Sequence, residues 1–198
     1  MDTRVTEDPG DQARPRPCAE AQAGLYRASD EHDACGVGFV AHIKGHRSHA
    51  IVRQALDLLI NLEHRGATGS DPDTGDGAGI LLQMPDAFLR HVSPFDLPPA
   101  GAYGAGLVFL PTADAPRAAL RALIERVVRE EGQTVIGWRP VPTRLDAIGA
   151  AAAAVAPVFE QLFVGRDPAQ TGDDARARFE RSLYVIRKRI EQDRKSVV

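Results

Sequence analysis

Glu31-His32-Asp33-Ala34-Cys35-Gly36-Val37-Gly38-Phe39-Val40-Ala41 is the stretch at which the chain changes character. Before it, residues 1 to about 24 are polar and rich in Pro, Arg and Asp, too poor in apolar side chains to order themselves. Order is expected to begin near Leu25-Tyr26. After it, Val37, Phe39 and Ala41 alternate with Gly38, Val40 and His42, which is the period of a strand. The glycines at its start imply close approach of the backbone to another group. Cysteine is the most readily activated side-chain nucleophile, yet a base must still take its proton. His32 and Asp33 adjoin Cys35 in sequence, and sequence neighbours seldom form a catalytic pair. Cleavage before Cys35 offers another base, a free α-amino group titrating near ~8 on the same residue as the thiol. On the residues alone, Cys35 is either this nucleophile or a buried structural cysteine.

Composition bounds the rest. A chain of 198 residues buries one solid core or two small ones. The net charge of −3 gives no push towards nucleic acid or an anionic membrane. The only cysteines are Cys18 and Cys35, too few for a disulfide framework, so a reducing, cytoplasmic compartment is expected. No run approaches the roughly 20 apolar residues of a membrane helix. Met1 to Gln22 lacks the apolar core of a signal peptide.

Beyond the opening strand, Lys44-Gly45-His46 reads as a turn and Ser48 as a helix N-cap. Ile51, Ala55, Leu58, Leu59 and Leu62 then predict an amphipathic helix over 49–63. Gly66 to Gly79 is a long loop with five glycines. A short strand over 80–84, a brief helix over 85–91 and a Pro-rich linker over 94–101 follow. Strands are expected at 103–110, 134–138 and 158–164. Helices are expected at 115–131, 147–156 and 173–194. The alternation lacks the fixed period of βαβ units, so a mixed sheet packed on helices, an α+β fold, fits best. The final helix has no terminating cap, which reads as a truncated polypeptide.

Three further motifs are candidates for chemistry. In Leu62-Glu63-His64-Arg65-Gly66-Ala67, Arg65 is suited to hold a carboxylate. Equally, His64 and Arg65 suit a helix C-terminus and Gly66 its left-handed cap. Asp71-Pro72-Asp73-Thr74-Gly75-Asp76-Gly77-Ala78-Gly79 fails as a calcium loop, because its sixth and twelfth places hold Asp76 and Leu82. It is either the glycine-rich wall of a pocket or an ordinary surface loop. His42, His46 and His49 straddle a turn without supporting Cys or carboxylate spacing, so no metal site is expected. Arg187-Lys188-Arg189 reads as a solvated helix face.

Taken in order, these pieces resemble the amino-terminal region of glutamate synthase large subunits. The stretch from Glu31 to Ala41 is similar to their processing site. Asn61-Leu62-Glu63-His64-Arg65-Gly66-Ala67 and Asp73-Thr74-Gly75-Asp76-Gly77-Ala78-Gly79-Ile80 are similar to the next two motifs. Pro157-Val158-Phe159-Glu160-Gln161-Leu162-Phe163-Val164-Gly165-Arg166 and Leu183-Tyr184-Val185-Ile186-Arg187-Lys188-Arg189-Ile190-Glu191 complete the series. The His-Arg-Gly element is shared with other class II amidotransferases, of the phosphoribosyl and hexosamine types. Thr-Gly-Asp-Gly-Ala-Gly points to glutamate synthase.

The resemblance implies a four-layer αββα Ntn-hydrolase sandwich of which only the first part is present. Residues 1–34 would be a leader and 35–198 a partial type 2 glutamine amidotransferase domain. Cleavage between Ala34 and Cys35 would leave the Cys35 thiol to attack the side-chain amide of glutamine. Ammonia would travel to the remaining domains of the same chain, add to 2-oxoglutarate and yield glutamate. FMN, an iron–sulfur cluster, and NADPH or ferredoxin would serve those domains, with a small electron-transfer subunit as a further partner, and this region would bind none of them. By motif position Arg65 and Gly66 would border the Cys35 pocket, and Asp76, Gly77 and Gly79 would shape it. The family's Asn-Gly oxyanion pair is not matched, since no Asn-Gly dipeptide occurs here. Losing one such donor alone costs ~10²–10³ in rate, so the piece by itself is expected to be inactive. A non-catalytic module on the same scaffold is the alternative.

Overall fold

The structure is a computed structural model, and it describes residues 36–66, 71, 73–75 and 77–193. The expected leader, the Ala34-Cys35 cleavage site, Cys35 itself and Asp76 lie outside the described residues. In chain order the elements are α1 His49–Asn61, α2 Asp86–Val92, β1 Tyr103–Leu110, α3 Asp114–Glu130, β2 Thr134–Pro140, α4 Ala150–Ala154, β3 Val158–Gly165 and α5 Ala175–Asp193. Single 3-10 turns stand at Glu63–Arg65 and Leu145–Ala147. The fold is α+β.

β3 is the middle of a three-stranded sheet of order β1-β3-β2, antiparallel to both neighbours. Its apolar residues, Val158-Phe159 and Leu162-Phe163-Val164, flank Glu160-Gln161 and supply side chains to both faces. Alternate side chains go to opposite faces. Leu162 and Val164 enter a core with Ile124, Val127 and Val128 of α3 and Phe179 and Ile186 of α5. Phe163 enters a second core with Leu89, Leu97 and Tyr103. The ring of Phe95 meets Phe163 edge-on at 5.2 Å, a favoured aromatic arrangement. β2 pairs from Thr134↔Gly165 to Pro140↔Glu160, with an irregularity between Val135 and Gly137. Pro140 sits at the end of this flanking strand, where a missing N–H costs no ladder bond.

Polar ties hold the helices in register. Arg189 of α5 reaches Glu130 and Glu131 at the end of α3. Arg187 and Lys188 pair instead with Glu191 on the surface of their own helix. The expected solvated face is therefore partly an inter-helix clamp. Gln133, buried after α3, accepts from the Asp167 amide at 3.2 Å and donates to the Glu131 carbonyl at 3.2 Å. Trp138 donates to Glu125 at 2.9 Å while the Arg121 guanidinium lies 4.9 Å over its ring.

The second core has its own clamp. Arg90 of α2 pairs with Asp86 at 2.9 Å and donates to the Leu97 carbonyl at 2.6 Å and to that of Pro98. Buried Tyr103 donates to the same Asp86 carboxylate at 2.9 Å. These bonds fasten α2 and the 94–101 linker to β1. Burial, then the bond to Asp86, pushes the Tyr103 phenol up to about 12. Arg90 first, then Tyr103, holds the Asp86 carboxyl below its ordinary range.

Two expected strands differ. Residues 36–41 and 80–84 carry no ladder among the described residues, and Val37 and Phe39 are 95% and 91% exposed. Alternation alone does not make a strand, since the hydrogen bonds belong to a pair. The helix expected at 147–156 shortens to Ala150–Ala154, preceded by the turn at Leu145–Ala147. Ser48 occupies the N-cap of α1 with extended backbone but makes no side-chain cap bond.

Because Asp86 is held below its ordinary range, its ionised form stabilises the fold above that range. The contribution is lost as pH falls through the lowered folded value. Asp86→Asn is expected to melt at lower temperature than wild type at pH 7. The gap should narrow below about pH 4, as read from thermal melts across pH. A gap independent of pH would show that the charge contributes nothing.

Candidate functional site

The last turns of α1 present adjoining stripes of side chains. The first is Leu58, Leu62 and Arg65. A Cβ placed on Gly38 would fall 2.6 Å from Leu58 Cδ1, and one on Gly36 would fall 3.0 Å from Leu62 Cδ2 and 3.3 Å from Arg65 Cβ. The glycines of the opening motif are thus the places where its backbone lies on the helix, as their spacing implied. The second stripe is Leu59, Glu63 and Gly66, which faces an open cleft of ≈530 Å³.

The opposite wall of that cleft is the glycine-rich loop, through Asp73, Thr74, Gly75, Gly77 and Ala78. Ile148 and Ala152, beside and on α4, complete it. Gly77 has φ +86°, a left-handed conformation that favours glycine. Asp71 anchors the loop. Its Oδ1 accepts from the Asp73 amide at 3.1 Å, and its Oδ2 from the Thr74 hydroxyl at 3.0 Å and, at 3.4 Å, the Ala151 amide of α4. The Asp73 amide first, then Thr74 and the α4 amides, hold the Asp71 carboxyl below its ordinary range.

The sequence candidates fall as follows. Arg65 ends the 3-10 turn, exposed, its guanidinium with no hydrogen bond or ion pair among the described residues. Gly66 lines the cleft but is not a left-handed cap; its φ and ψ are −84° and 154°. The helix ends instead by tightening, with the Arg65 amide on the Leu62 carbonyl at 2.8 Å. Gly77 is in the cleft wall, while a Cβ on Gly79 would meet nothing within 4 Å. His64 Nδ1 lies 3.0 Å from the Asn61 carbonyl oxygen. His42 and His46 stack at 4.8 Å, and His42 Nδ1 accepts from the amides of Lys44 and His46. Among the described residues no group of three or more His, Cys, Asp or Glu is arranged around a metal position. Sequence reading placed Asp71 and Thr74 in a candidate pocket wall without a role for either side chain, and it missed Ile148, Gly149 and Ala152. A glycine heading an alanine run, Gly149-Ala150-Ala151-Ala152, was the available signal.

Residues 35–197 match the family described as class-II glutamine amidotransferases. The chain belongs to that family. Within it, similar relatives include the glutamate synthase [NADPH] large chain of Bacillus subtilis, 47% identical over 169 residues, 85% of this chain and 11% of the relative. The glutamate synthase [NADH] of Schizosaccharomyces pombe is 42% identical, over 85% of this chain and 8% of its own length. The ferredoxin-dependent glutamate synthase 2 of a Synechocystis species is 38% identical, over 83% of this chain and 11% of its own length. The chain therefore spans about a tenth of the length of such relatives. Among its described residues, no helix is long and apolar enough to cross a membrane.

Arg65→Ala keeps the Cβ that lies against Gly36 and removes an exposed guanidinium with no partner among the described residues. Stability is expected to change by no more than about 0.5 kcal/mol, measured by urea unfolding. A loss well above that would give Arg65 a structural role.

Proposed function

We propose that this chain is the glutamine-hydrolysing region of a glutamate synthase, with Cys35 as its nucleophile once residues 1–34 are removed. The observation that carries the reading is the meeting of three motifs: Gly36 lies on Leu62 and Arg65, and the next stripe of the same helix end shares a cleft with Gly75 and Gly77. On this reading residues 35–198 form part of a type 2 amidotransferase domain, and Arg65, Gly66, Asp76, Gly77 and Gly79 border or shape the pocket.

The chemistry follows from the residue types. The free α-amino group of Cys35 takes the thiol proton, and the thiolate adds to the side-chain amide carbon of glutamine. The C–N bond breaks as the proton is delivered to nitrogen, and ammonia leaves. Water then cleaves the thioester, releasing glutamate and restoring the thiol. In the complete cytoplasmic protein, ammonia passes to the remaining synthase domains and adds to 2-oxoglutarate. The FMN and iron–sulfur cluster of those domains would supply the reducing electrons there. The donor is left open, because the relatives' names specify NADPH, NADH or ferredoxin.

A four-layer αββα sandwich is supported by what the sheet leaves uncovered. α3 and α5 pack on one face of β3, while Leu107 and Phe109 on the other face are 58% and 60% exposed. The apolar, ladderless segments 36–41 and 80–84, the first backed by α1, have the character of strands of a second sheet.

The test uses the complete polypeptide and a glutamine-like electrophile. A single adduct on Cys35, an amino terminus at Cys35 in the active material, and loss of glutamine hydrolysis in Cys35→Ser are expected. Label on Cys18, or turnover by protein still beginning at Met1, would sink the mechanism. An uncleaved leader, with wild type and Cys35→Ser both at background in amide hydrolysis, would leave a non-catalytic module.

A further inference from the structure

The helix α4 begins without a cap of its own. Gly149, at its N-cap, has no side chain, and the residues that follow are alanines. Its first turn is served from far along the chain. The Asp71 carboxylate accepts from the Ala151 amide, the second position of the helix, where an N-cap side chain would ordinarily accept. The Gly149 amide in turn donates to the Asp73 carbonyl at 2.9 Å. Gly149 is buried, and a Cβ there would stand 2.2 Å from Thr74 Oγ1 and 2.4 Å from Asp71 Oδ2. Both atoms belong to short side chains already bonded to each other at 3.0 Å, so neither can retreat cheaply.

The same loop supplies the cleft wall. Asp73, Thr74, Gly75 and Gly77 line one side, and Ala152, one residue beyond the capped amide, lines another. A glycine-rich wall has little stiffness of its own, so its position must come from what it is fastened to. We propose that Asp71 and Thr74 are positioning residues: they latch the loop onto Gly149 and α4 and thereby fix the cleft wall against which substrate glutamine is held. The substrate part rests on the glutaminase reading above. The latch touches no reacting atom, so it acts on where glutamine sits and not on the nucleophile.

The experiment uses the complete protein with Thr74→Val, Thr74→Ser and Asp71→Asn. Valine matches the volume of threonine and removes the donor to Asp71. Serine keeps that donor. Asparagine retains an acceptor for the Asp73 amide and removes the carboxylate oxygen shared by Thr74 and Ala151. Thr74→Val and Asp71→Asn are expected to raise the KM for glutamine about three- to ten-fold, the worth of one hydrogen bond, with kcat within about two-fold. Alkylation of Cys35 by iodoacetamide should keep its wild-type rate, and Thr74→Ser should match wild type throughout. Amide exchange over residues 73–78 and 149–152 should accelerate in Thr74→Val and Asp71→Asn. An unchanged KM in both variants, or KM, kcat and alkylation all impaired together, overturns the positioning role. If wild type shows no hydrolysis that depends on Cys35, the glutaminase reading falls and takes the substrate part with it. The exchange rates still decide the latch: unaltered exchange in both variants overturns it.

Discussion

Leu162 and Val164 go into one core and Phe163 into the other, so a single strand joins packing on its two sides. β3 is also the only strand in the described sheet with a neighbour along both edges. Backbone pairing and side-chain burial therefore depend on the same eight residues, Val158–Gly165. A shift of one residue in register would send Leu162 and Val164 to the side of α2 and strand Phe163 against α3 and α5. The ladder excludes it, because β1 runs unbroken from Tyr103↔Gly165 to Leu110↔Val158. Gly165 marks the limit of the arrangement: a Cβ there would stand 2.6 Å from Thr134 Oγ1.

The two parts of the sequence differ in how far they bury themselves. α3 has Ile124, Val127 and Val128 in the core, whereas α1 has no buried residue although its apolar stripe is as regular. Segments with little buried apolar contact open at low free-energy cost. The motifs that carry the proposed chemistry lie in that thinly packed part, and there polar ties substitute for burial. Asp71 on α4 holds the loop much as Arg90 on the Leu97 carbonyl holds the linker. In both, one charged side chain gathers several backbone groups that would otherwise need separate partners.

Most elements of the helical half were legible in the sequence because their cause is local. The apolar stripe of α3 and the apolar ends of β3 announce themselves within a few residues, and both elements stand within one or two residues of expectation. The segment around Phe39 has an equally clear period, but a ladder also requires a second chain segment at the right spacing, which the pattern of the first cannot supply. Gly66 was legible as a special position but not as a conformation, because a helix can end by a left-handed cap or by tightening, and the same residue serves both. Of the candidate site, the Gly36–Arg65 proximity follows from two motifs whose order was readable. The tie from Asp71 to α4 escaped because its hydrogen bond to the Ala151 amide spans 80 positions and leaves no periodic trace.

The tightening at the end of α1 is what lets one helix serve two neighbours. In a continued α-helix Arg65 would be turned about 60° away from Leu62, since three residues advance about 300°. In a 3-10 turn, residues three apart eclipse one another. The Leu62 amide is shared between the Leu58 and Leu59 carbonyls, 3.1 Å from each, and the Arg65 amide then bonds to Leu62 at 2.8 Å. The change of winding begins at that residue. It stacks Arg65 over Leu62 on the side of Gly36 and carries Gly66 over Glu63 on the side of the cleft. Without it, the guanidinium and the glycine would both rotate off their stripes, and the backbone that follows Cys35 would meet the helix at Leu62 alone. The local winding, set by one bifurcated hydrogen bond, thus decides whether the His-Arg-Gly motif can face the opening motif and the glycine-rich loop at once.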